Sequence, residues 1–341
     1  MIAYDISEAK NGIYFAGSSR GMGEARGWSW NDGGIVPADT LTTQEALTTL
    51  GLDFTVAKAP VRFDPKGEAL LAQDLNGLPR TNVTYRTDTG TGLGVVKNTY
   101  KIVQNSEAFD LVDTLIDDGS AKWIAGAARD HGRQITMLAT INREILIGGD
   151  EDERMLPLLV FSTSHDRSCS LTVQIAVFRL ICLNGMTVPT GEPRMIRIRH
   201  TANSGMKIVE ARRILGISVG YLDTFTQMAN EMITATVNDK QFARFLDRFI
   251  PVPEVEEGSQ TNVIARFNAL AMRDAITDSY RKSPNVQNVT GTKWGVYCAV
   301  TEALDWSGTI RDKGDAGLTQ FTRAATDTKR KDEAFKIIAA L

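Results

Sequence analysis

The sequence is poor in cysteine and has no long hydrophobic run. Three cysteines, Cys169, Cys182 and Cys298, are too few and odd in number for a disulfide framework, which indicates a reducing compartment. The first residues, MIAYDISEAKNG, lack the apolar segment that a signal peptide carries. No stretch approaches the roughly 20 apolar residues of a membrane-spanning helix. We therefore expect a cytoplasmic protein that makes no membrane contact.

An overall excess of cations is also missing. The 341 residues carry 38 Lys and Arg against 41 Asp and Glu, which gives a net charge of −3. This balance excludes a uniformly basic coat, so any nucleic acid must bind to a local patch. Hydrophobic residues make up 43% of the chain, far more than a disordered protein contains. The length allows one large domain or two closely packed ones.

The spacings of catalytic and metal sites are absent as well. The sequence contains neither Cys-x-x-Cys nor His-Glu-x-x-His, and it has no Gly-x-Ser-x-Gly elbow. The glycine-rich GSSRGMGEARG lacks the Lys-Ser/Thr pair of a phosphate-binding loop. We therefore predict no catalytic residue, no metal and no cofactor. One enzymatic alternative stays open, in which His165, Asp166 and His200 form a nuclease-like cluster.

The order of the sequence patterns predicts an α+β protein in three regions. Residues 1–40 are glycine-rich and predict an irregular arm, with Trp28 and Trp30 inside it. Residues 41–203 contain β-prone runs and short helices, and residues 204–341 show helical periodicity packed on that core. The fold predicted is a mostly antiparallel central sheet followed by a helical C-terminal half.

Local signals place several ends of these elements. Thr42 or Thr43 is expected to cap a first short helix, and Asn105 is expected to cap a second one that ends at Gly119. A glycine-rich turn at residues 89–94 joins two β-prone runs, and His131 begins the turn of a second hairpin. These signals predict two β-hairpins and two short helices within the β-rich region.

Positive charge is concentrated in the middle of the chain. Between Val160 and Leu215 there are eight cations against three acidic residues, a local charge of +5. Seven of the eight are arginine, whose planar guanidinium binds phosphate and stacks on bases. In an alternative interpretation, these arginines pair with acidic loops at a subunit interface. The residues predicted to bind nucleic acid are Arg194, Arg197, Arg199, Lys207, Arg212 and Arg213, with Arg167 and Arg179 as weaker candidates.

Two stretches resemble a family that phages and plasmids encode, the domain of unknown function 932 (DUF932). They are TYKIVQNSEAFDLVDTLID and FSTSHDRSCSLTVQIAVFRLICLNGM, the second followed by IRIRH. The family usually has Pro-Trp-His-x-x-Gly near its start, where this chain has Gly-Trp-Ser-Trp. The resemblance implies a mobile-element origin, often beside replication and recombination genes. It also marks motif residues of unknown role: Tyr100, Gln104, Asn105, His165, Asp166, Asn184 and His200.

Charge and resemblance together predict a phage-type protein that binds single-stranded DNA and promotes annealing in recombination. It would act as a homo-oligomer, since the apolar residues of the C-terminal helices cover more than one helix face. The alternative is a non-enzymatic protein-interaction module, such as an anti-defence factor or a structural assembly subunit, with a host or phage protein as partner.

Overall fold

A computed structural model supplies the coordinates of the chain. It describes residues 4–5, 14–16, 41–64, 76–117, 119–182, 184–189, 194–200, 204–254, 260–307, 323–325 and 328–341. Trp28 and Trp30 lie outside the described residues, so the structure does not place the indoles that were expected in the N-terminal arm.

The larger of two sheets among the described residues is antiparallel and has nine strands. Their bounds are β1 Tyr4–Asp5, β2 Tyr14–Ala16, β6 Ala121–Arg129, β7 Gln134–Ile141, β8 Ile145–Leu146, β9 Arg154–Ser164, β10 Leu171–Arg179, β11 Asn184–Met186 and β12 Met195–Ile198. The order is β1-β2-β6-β7-β9-β10, and two short strands share the far edge of β10. There β12 pairs with its first half and β11 with its last residues.

The smaller sheet has three antiparallel strands, β3 (Val56–Phe63), β4 (Asn76–Arg86) and β5 (Gly92–Lys97). Strands β4 and β5 form the hairpin predicted from the glycine-rich turn, which the structure confirms. The N-terminal half of β4 extends beyond β5 and pairs only with β3, and its residues are exposed. The small sheet therefore ends in an exposed two-stranded ribbon.

Helices follow the strands, as the α+β prediction required, and the structure confirms that fold class. Within the described ranges, three short helices lie among the strands, and five longer ones follow β12. Their bounds are α1 Thr43–Thr49, α2 Asn105–Phe109, α3 Asp113–Asp117, α4 Ser204–Thr234, α5 Asp239–Phe249, α6 Gln260–Lys282, α7 Lys293–Trp306 and α8 Thr328–Ala339.

The capping predictions had opposite outcomes. Thr42 caps α1 in a capping box with Glu45, because each side chain bonds the backbone N–H of the other residue. The prediction for Asn105 was wrong: Gln104 is the N-cap residue of α2, without a side-chain bond, and Asn105 is the first helical residue. The amide of Asn105 instead donates to the carbonyl of Leu52, 2.7 Å away. A long-range hydrogen bond has replaced the local one.

The N-terminal arm contributes to the sheet. The sequence predicted little packed structure there, yet β1 pairs with β2, and β2 pairs with β6 through Phe15 opposite Ala127. In a glycine-rich stretch, two- and three-residue strands carry no detectable periodicity, so only the pairing with a distant strand defines them.

One hydrophobic core joins the strands and the C-terminal helices. On one side Phe161 of β9 contacts Phe109 and Trp123 at ring distances of 6.4 and 5.4 Å. Among the helices, Phe225 of α4 packs edge-on against Trp294 of α7. Almost every residue of β9 and β10 is buried, which is typical of strands covered on both faces. At the edge of this sheet, Arg197 of β12 is exposed.

Candidate nucleic-acid interface

Four of the seven motif residues meet where the small sheet joins the end of β9. His165 follows β9 and is completely buried, and its Nε2 lies 2.9 Å from Oδ1 of Asn105. Gln104 bonds both backbone groups of Val56, with its amide N–H donating at 2.9 Å and its carbonyl accepting at 3.0 Å. Tyr100 donates from its hydroxyl to the carbonyl of Ser164 at 2.8 Å. These side chains therefore tie β3, α2 and β9 together.

His200, just beyond β12, closes the same junction. Its ring stacks on Tyr100 at 5.0 Å between centroids, and its Nε2 lies 3.5 Å from the hydroxyl of Thr163. The backbone carbonyl of His200 accepts from the N–H of Lys101 at 3.2 Å. The end of β12 is thus fastened to the residues that follow β5.

Both imidazoles are poor proton carriers at neutral pH. Burial lowers the pKa of His165 to about 4, with a further contribution from His200 and an opposing one from Asp166. Burial also lowers the pKa of His200. Since Oδ1 of Asn105 accepts, the neutral His165 ring donates from Nε2, and its Nδ1 has no hydrogen-bond partner among the described residues.

Asp166 completes a turn. Its carboxylate accepts from the backbone N–H of Ser168 at 2.8 Å and from the Ser168 hydroxyl. Within the described residues, no group of three His, Cys, Asp or Glu side chains is close enough to hold a metal ion. Buried imidazoles and a carboxylate bonded within its own turn favour a structural role for this cluster.

Arg179 occupies a position that excludes the predicted phosphate contact. Its side chain is completely buried and forms an ion pair with Glu153, which is also completely buried. Nε donates to this carboxylate at 2.8 Å, and Nε1 of Trp294 donates to it at the same distance. A phosphate cannot reach a guanidinium enclosed in this way, so we remove Arg179 from the predicted interface.

Arg194 already has an acidic partner within the protein. It forms an ion pair with Asp332 of α8 at 2.5 Å, and its guanidinium lies 5.8 Å from the ring centre of Tyr221. The structure therefore ties the start of β12 to α8 through Arg194.

The other three predicted cations are Lys207, Arg212 and Arg213. They lie in the first half of α4, where the structure describes the helix but not their side chains.

Arg197 and Arg199 are exposed, whereas Ile198 between them is buried. With Ile198 buried between them, Arg197 of β12 and Arg199, directly after the strand, project from the same side of the chain. Neither has a carboxylate partner within the described part of the chain. These two arginines therefore remain available for an anion.

The junction with the small sheet brings further exposed cations to these arginines. Lys58 donates to the carbonyl of Tyr100 at 2.7 Å, and the N–H of Asn98 donates to the carbonyl of Arg80 at 3.1 Å. Arg167 donates to the carbonyl of Val95 at 3.4 Å. These contacts gather several segments around the turn that follows β5, at residues 98–99. We call the exposed cations on those segments the basic rim: Lys58, Arg80, Lys97, Lys101, Arg167, Arg197 and Arg199.

No member of the basic rim forms an ion pair with a described residue. Asp166 directly precedes Arg167 in the sequence, but its mostly buried carboxylate lies 3.9 Å from Arg133 and does not pair with Arg167. Uncompensated cations around one turn create a local positive potential in a protein whose net charge is −3.

Comparison with known families is informative for the same part of the chain. The family model described as Domain of unknown function (DUF932) matches residues 92–331. The chain belongs to the DUF932 family. No curated protein and no solved structure matches it. The matched range contains all seven motif residues and five members of the basic rim, whereas Lys58 and Arg80 precede it.

Asn184, the remaining motif residue, lies elsewhere in this DUF932 protein. It begins β11, and its Oδ1 accepts from Nε1 of Trp306 at 2.6 Å. The next residue, Gly185, donates from its N–H to Asp305, which forms a buried ion pair with Lys331 at 2.7 Å. Asn184 therefore belongs to the contact between the sheet edge and the C-terminal helices.

The DUF932 chain offers no activated thiol among its cysteines. Burial raises the pKa of Cys182 to about 11 and raises the pKa values of Cys169 and Cys298 as well. A thiol with a raised pKa stays protonated at neutral pH and is a weak nucleophile.

Among the described residues, every helix is too short or too polar to span a bilayer.

Sequence reasoning missed Lys58, Arg80, Lys97 and Lys101. They are scattered over 44 positions, where seven cations stand against four acidic residues, a smaller excess than that between Val160 and Leu215, and no motif marks them. The one available signal was the strand pairing itself, because Lys97 lies opposite Thr81 in the predicted hairpin, next to Arg80. The contact between Lys101 and His200 has no sequence signal.

Gly94→Ala should destabilise the junction. A Cβ atom at Gly94 would lie 2.5 Å from Cβ and 2.6 Å from Cα of Asp166, so backbone has to move. We expect a loss of about 1–3 kcal/mol in the free energy of unfolding, measured by thermal denaturation. Gly92→Ala is the control, since its Cβ would meet only Cγ2 of Val83 at 3.6 Å. Equal melting temperatures for the two variants would contradict this close approach.

Proposed function

We propose that this DUF932 protein binds single-stranded DNA through the basic rim and promotes annealing as a homo-oligomer. The observation that carries the proposal is a group of seven exposed cations around one turn, without a described acidic partner. Single-strand binding proteins combine a positively charged path for the phosphates with sites where bases stack. Arg197 and Arg199 supply planar guanidinium groups for both purposes.

An aromatic side chain is available on the same small sheet. Phe63 lies at the end of β3 opposite Asn76, in the exposed ribbon, and 46% of its surface is accessible. An exposed phenyl ring can stack on any base, which supports binding without sequence preference. Arg80 of the basic rim lies in the same exposed half of β4 that forms the ribbon.

The proposal also includes the origin of the protein, its role in recombination and its location in the cell. A mobile-element origin and a role in recombination rest on the resemblance alone. The host cytoplasm is supported by three cysteines that are all free. The alternative, a protein-interaction module that binds a host or phage protein, predicts instead a partner that stays bound after nuclease treatment.

Salt-dependent binding tests the basic rim directly. If both arginines contact phosphates, Arg197→Gln with Arg199→Gln should make the slope of log affinity against log salt shallower by about 1.4, at roughly 0.7 per single-strand contact. Adding Lys97→Gln and Lys101→Gln should double this change to about 2.8. The measurement is a gel-shift titration of a labelled oligonucleotide at several salt concentrations.

A double variant of equal charge loss provides the control. Arg154 pairs with Glu144 and Glu151, and Lys282 pairs with Asp278, so Arg154→Gln with Lys282→Gln removes two exposed cations outside the basic rim. This control should keep the wild-type slope. Wild-type protein that does not bind at low salt would overturn the proposal, and tighter binding to RNA of the same sequence would reassign the ligand. Annealing is measured separately, by fluorescence transfer between complementary labelled strands.

A further inference from the structure

Residues 263–268 of α6 are exposed on all sides of the helix, and within this segment Arg266 donates to the carbonyl of Pro253 at 3.2 Å. Packing against the core begins at Ala269, and Ile276 is the first described residue of α6 that is buried. About two turns of helix are therefore free to pack against another chain.

This exposed segment carries an apolar stripe instead of the polar residues expected on a solvated helix. The exposed fractions are 52% for Val263, 62% for Ile264, 70% for Phe267 and 41% for Leu270. Ala271 is exposed beside them. At 100° per residue the stripe spans about 120°, centred on Phe267, and it lies opposite the side that packs on the core. It is wide enough to contact a second helix.

The stripe is symmetric about Phe267. Its other members lie at −4, −3, +3 and +4 relative to that residue. In an antiparallel pair of identical helices with a two-fold axis at Phe267, Ile264 lies opposite Leu270, and Val263 lies opposite Ala271. Each apolar side chain then meets an apolar side chain of the other copy. A pattern that is symmetric in this way satisfies the self-complementarity of an isologous interface.

Charge is compatible with the same arrangement. Arg266 is the one charged residue between Val263 and Ala271, and in the antiparallel pair it lies opposite Asn268. The two copies of Asp274, three residues beyond the end of the stripe, lie at opposite ends of the contact. No like charges therefore face each other across it.

We propose that α6 is a dimerisation helix that pairs antiparallel with α6 of a second copy of this chain, with Phe267 on the two-fold axis. A single cation on the segment argues against DNA, which would need several. It also argues against a membrane surface, since helices that lie on anionic lipid carry Lys and Arg along their polar face.

This inference rests on the homo-oligomer that the proposed function includes, and its test contains no nucleic acid, so the two can fail separately. Five side chains per copy bury less than the standard interface of about 800 Å² per partner. We therefore expect a dissociation constant of roughly 1–100 μM, measured by analytical ultracentrifugation over that concentration range.

Phe267→Glu should raise this dissociation constant by about tenfold or more, because it removes the central contact and places two carboxylates at the axis. Asn268→Glu adds the same charge one residue away, outside the stripe and opposite Arg266 of the other copy, so it should not weaken association. Both positions are exposed, so both variants should melt at the wild-type temperature.

Cross-linking tests the axis itself. Helices that pack at about 8–10 Å between axes bring facing Cα atoms within reach of a disulfide, which needs about 4.4–6.8 Å. Phe267→Cys should therefore form a covalent dimer rapidly with a copper–phenanthroline oxidant. Asn268→Cys and the wild-type protein, with its own three cysteines, should form it much more slowly.

Three results would overturn the proposal. They are a wild-type protein that remains monomeric at 100 μM, an oligomer that Phe267→Glu does not weaken, and equal cross-linking at positions 267 and 268. Flotation with phosphatidylcholine and phosphatidylglycerol vesicles that Phe267→Glu abolishes, from a protein that stays monomeric, would assign the stripe to lipid instead.

Discussion

Arg179→Met is expected to lower the free energy of unfolding by about 3–5 kcal/mol. The change removes one partner of a completely buried ion pair and leaves the Glu153 carboxylate inside the protein without its counter-charge. Asn288 and Trp294 still donate to that carboxylate at 2.8 Å each, but neutral donors do not balance a buried charge. The measurement is urea denaturation followed by far-ultraviolet circular dichroism.

Arg154→Met is the matched control for this loss. Arg154 begins the same strand, β9, and its ion pairs with Glu144 and Glu151 are exposed, so we expect a change of about 0–1 kcal/mol. The double variant Glu153→Gln with Arg179→Met should lose less than the sum of the two single losses, because no unpaired charge remains. Single losses that add fully would show that the two side chains do not act as a pair.

Acid is expected to destabilise the protein through His165. The pKa of this imidazole is about 4 in the folded chain against an ordinary value of 6.5, because burial disfavours the charged ring. Between these two values the unfolded chain binds a proton that the folded chain does not, so stability falls as the pH falls. The contribution is fully present above about pH 6.5 and lost toward pH 4, in total roughly 3 kcal/mol at about 1.4 kcal/mol per pKa unit.

His165→Gln tests this dependence, since glutamine can donate to Asn105 but does not titrate in this range. The free energy of unfolding of the variant should depend less on pH between 6.5 and 4 than that of the wild type. His131→Asn is the control, because His131 is exposed and has a positive φ of 61°, which asparagine tolerates. Parallel pH profiles for wild type and His165→Gln would show that another group controls acid sensitivity.

The family resemblance identified the motif residues, and the structure shows which contacts they make. The resemblance grouped Tyr100, Gln104, His165 and His200 without assigning a role to any of them. In the structure, the side chains of Gln104 and Tyr100 bond backbone groups of Val56 and Ser164. The rings of His165 and His200 contact the side chains of Asn105 and Tyr100.

Some features of this protein follow from the sequence by itself. The α+β order, the hairpin of β4 and β5, and the capping box at Thr42 could all be predicted, because turn residues, alternation and capping act over a few neighbouring positions. The placement of Arg197 and Arg199 on one side of the chain was predictable for the same reason, since the side chains of an extended segment alternate.

Only the tertiary structure decided which cations are free. Arg179 and Arg199 look alike in the sequence, but Arg179 meets Glu153, 26 residues away, and is buried with it. Lys58 and Lys101 reach the basic rim through contacts with residues 42 and 99 positions distant. Pairing and burial depend on which distant segments the fold brings within a few ångströms, and neither spacing nor composition carries that information.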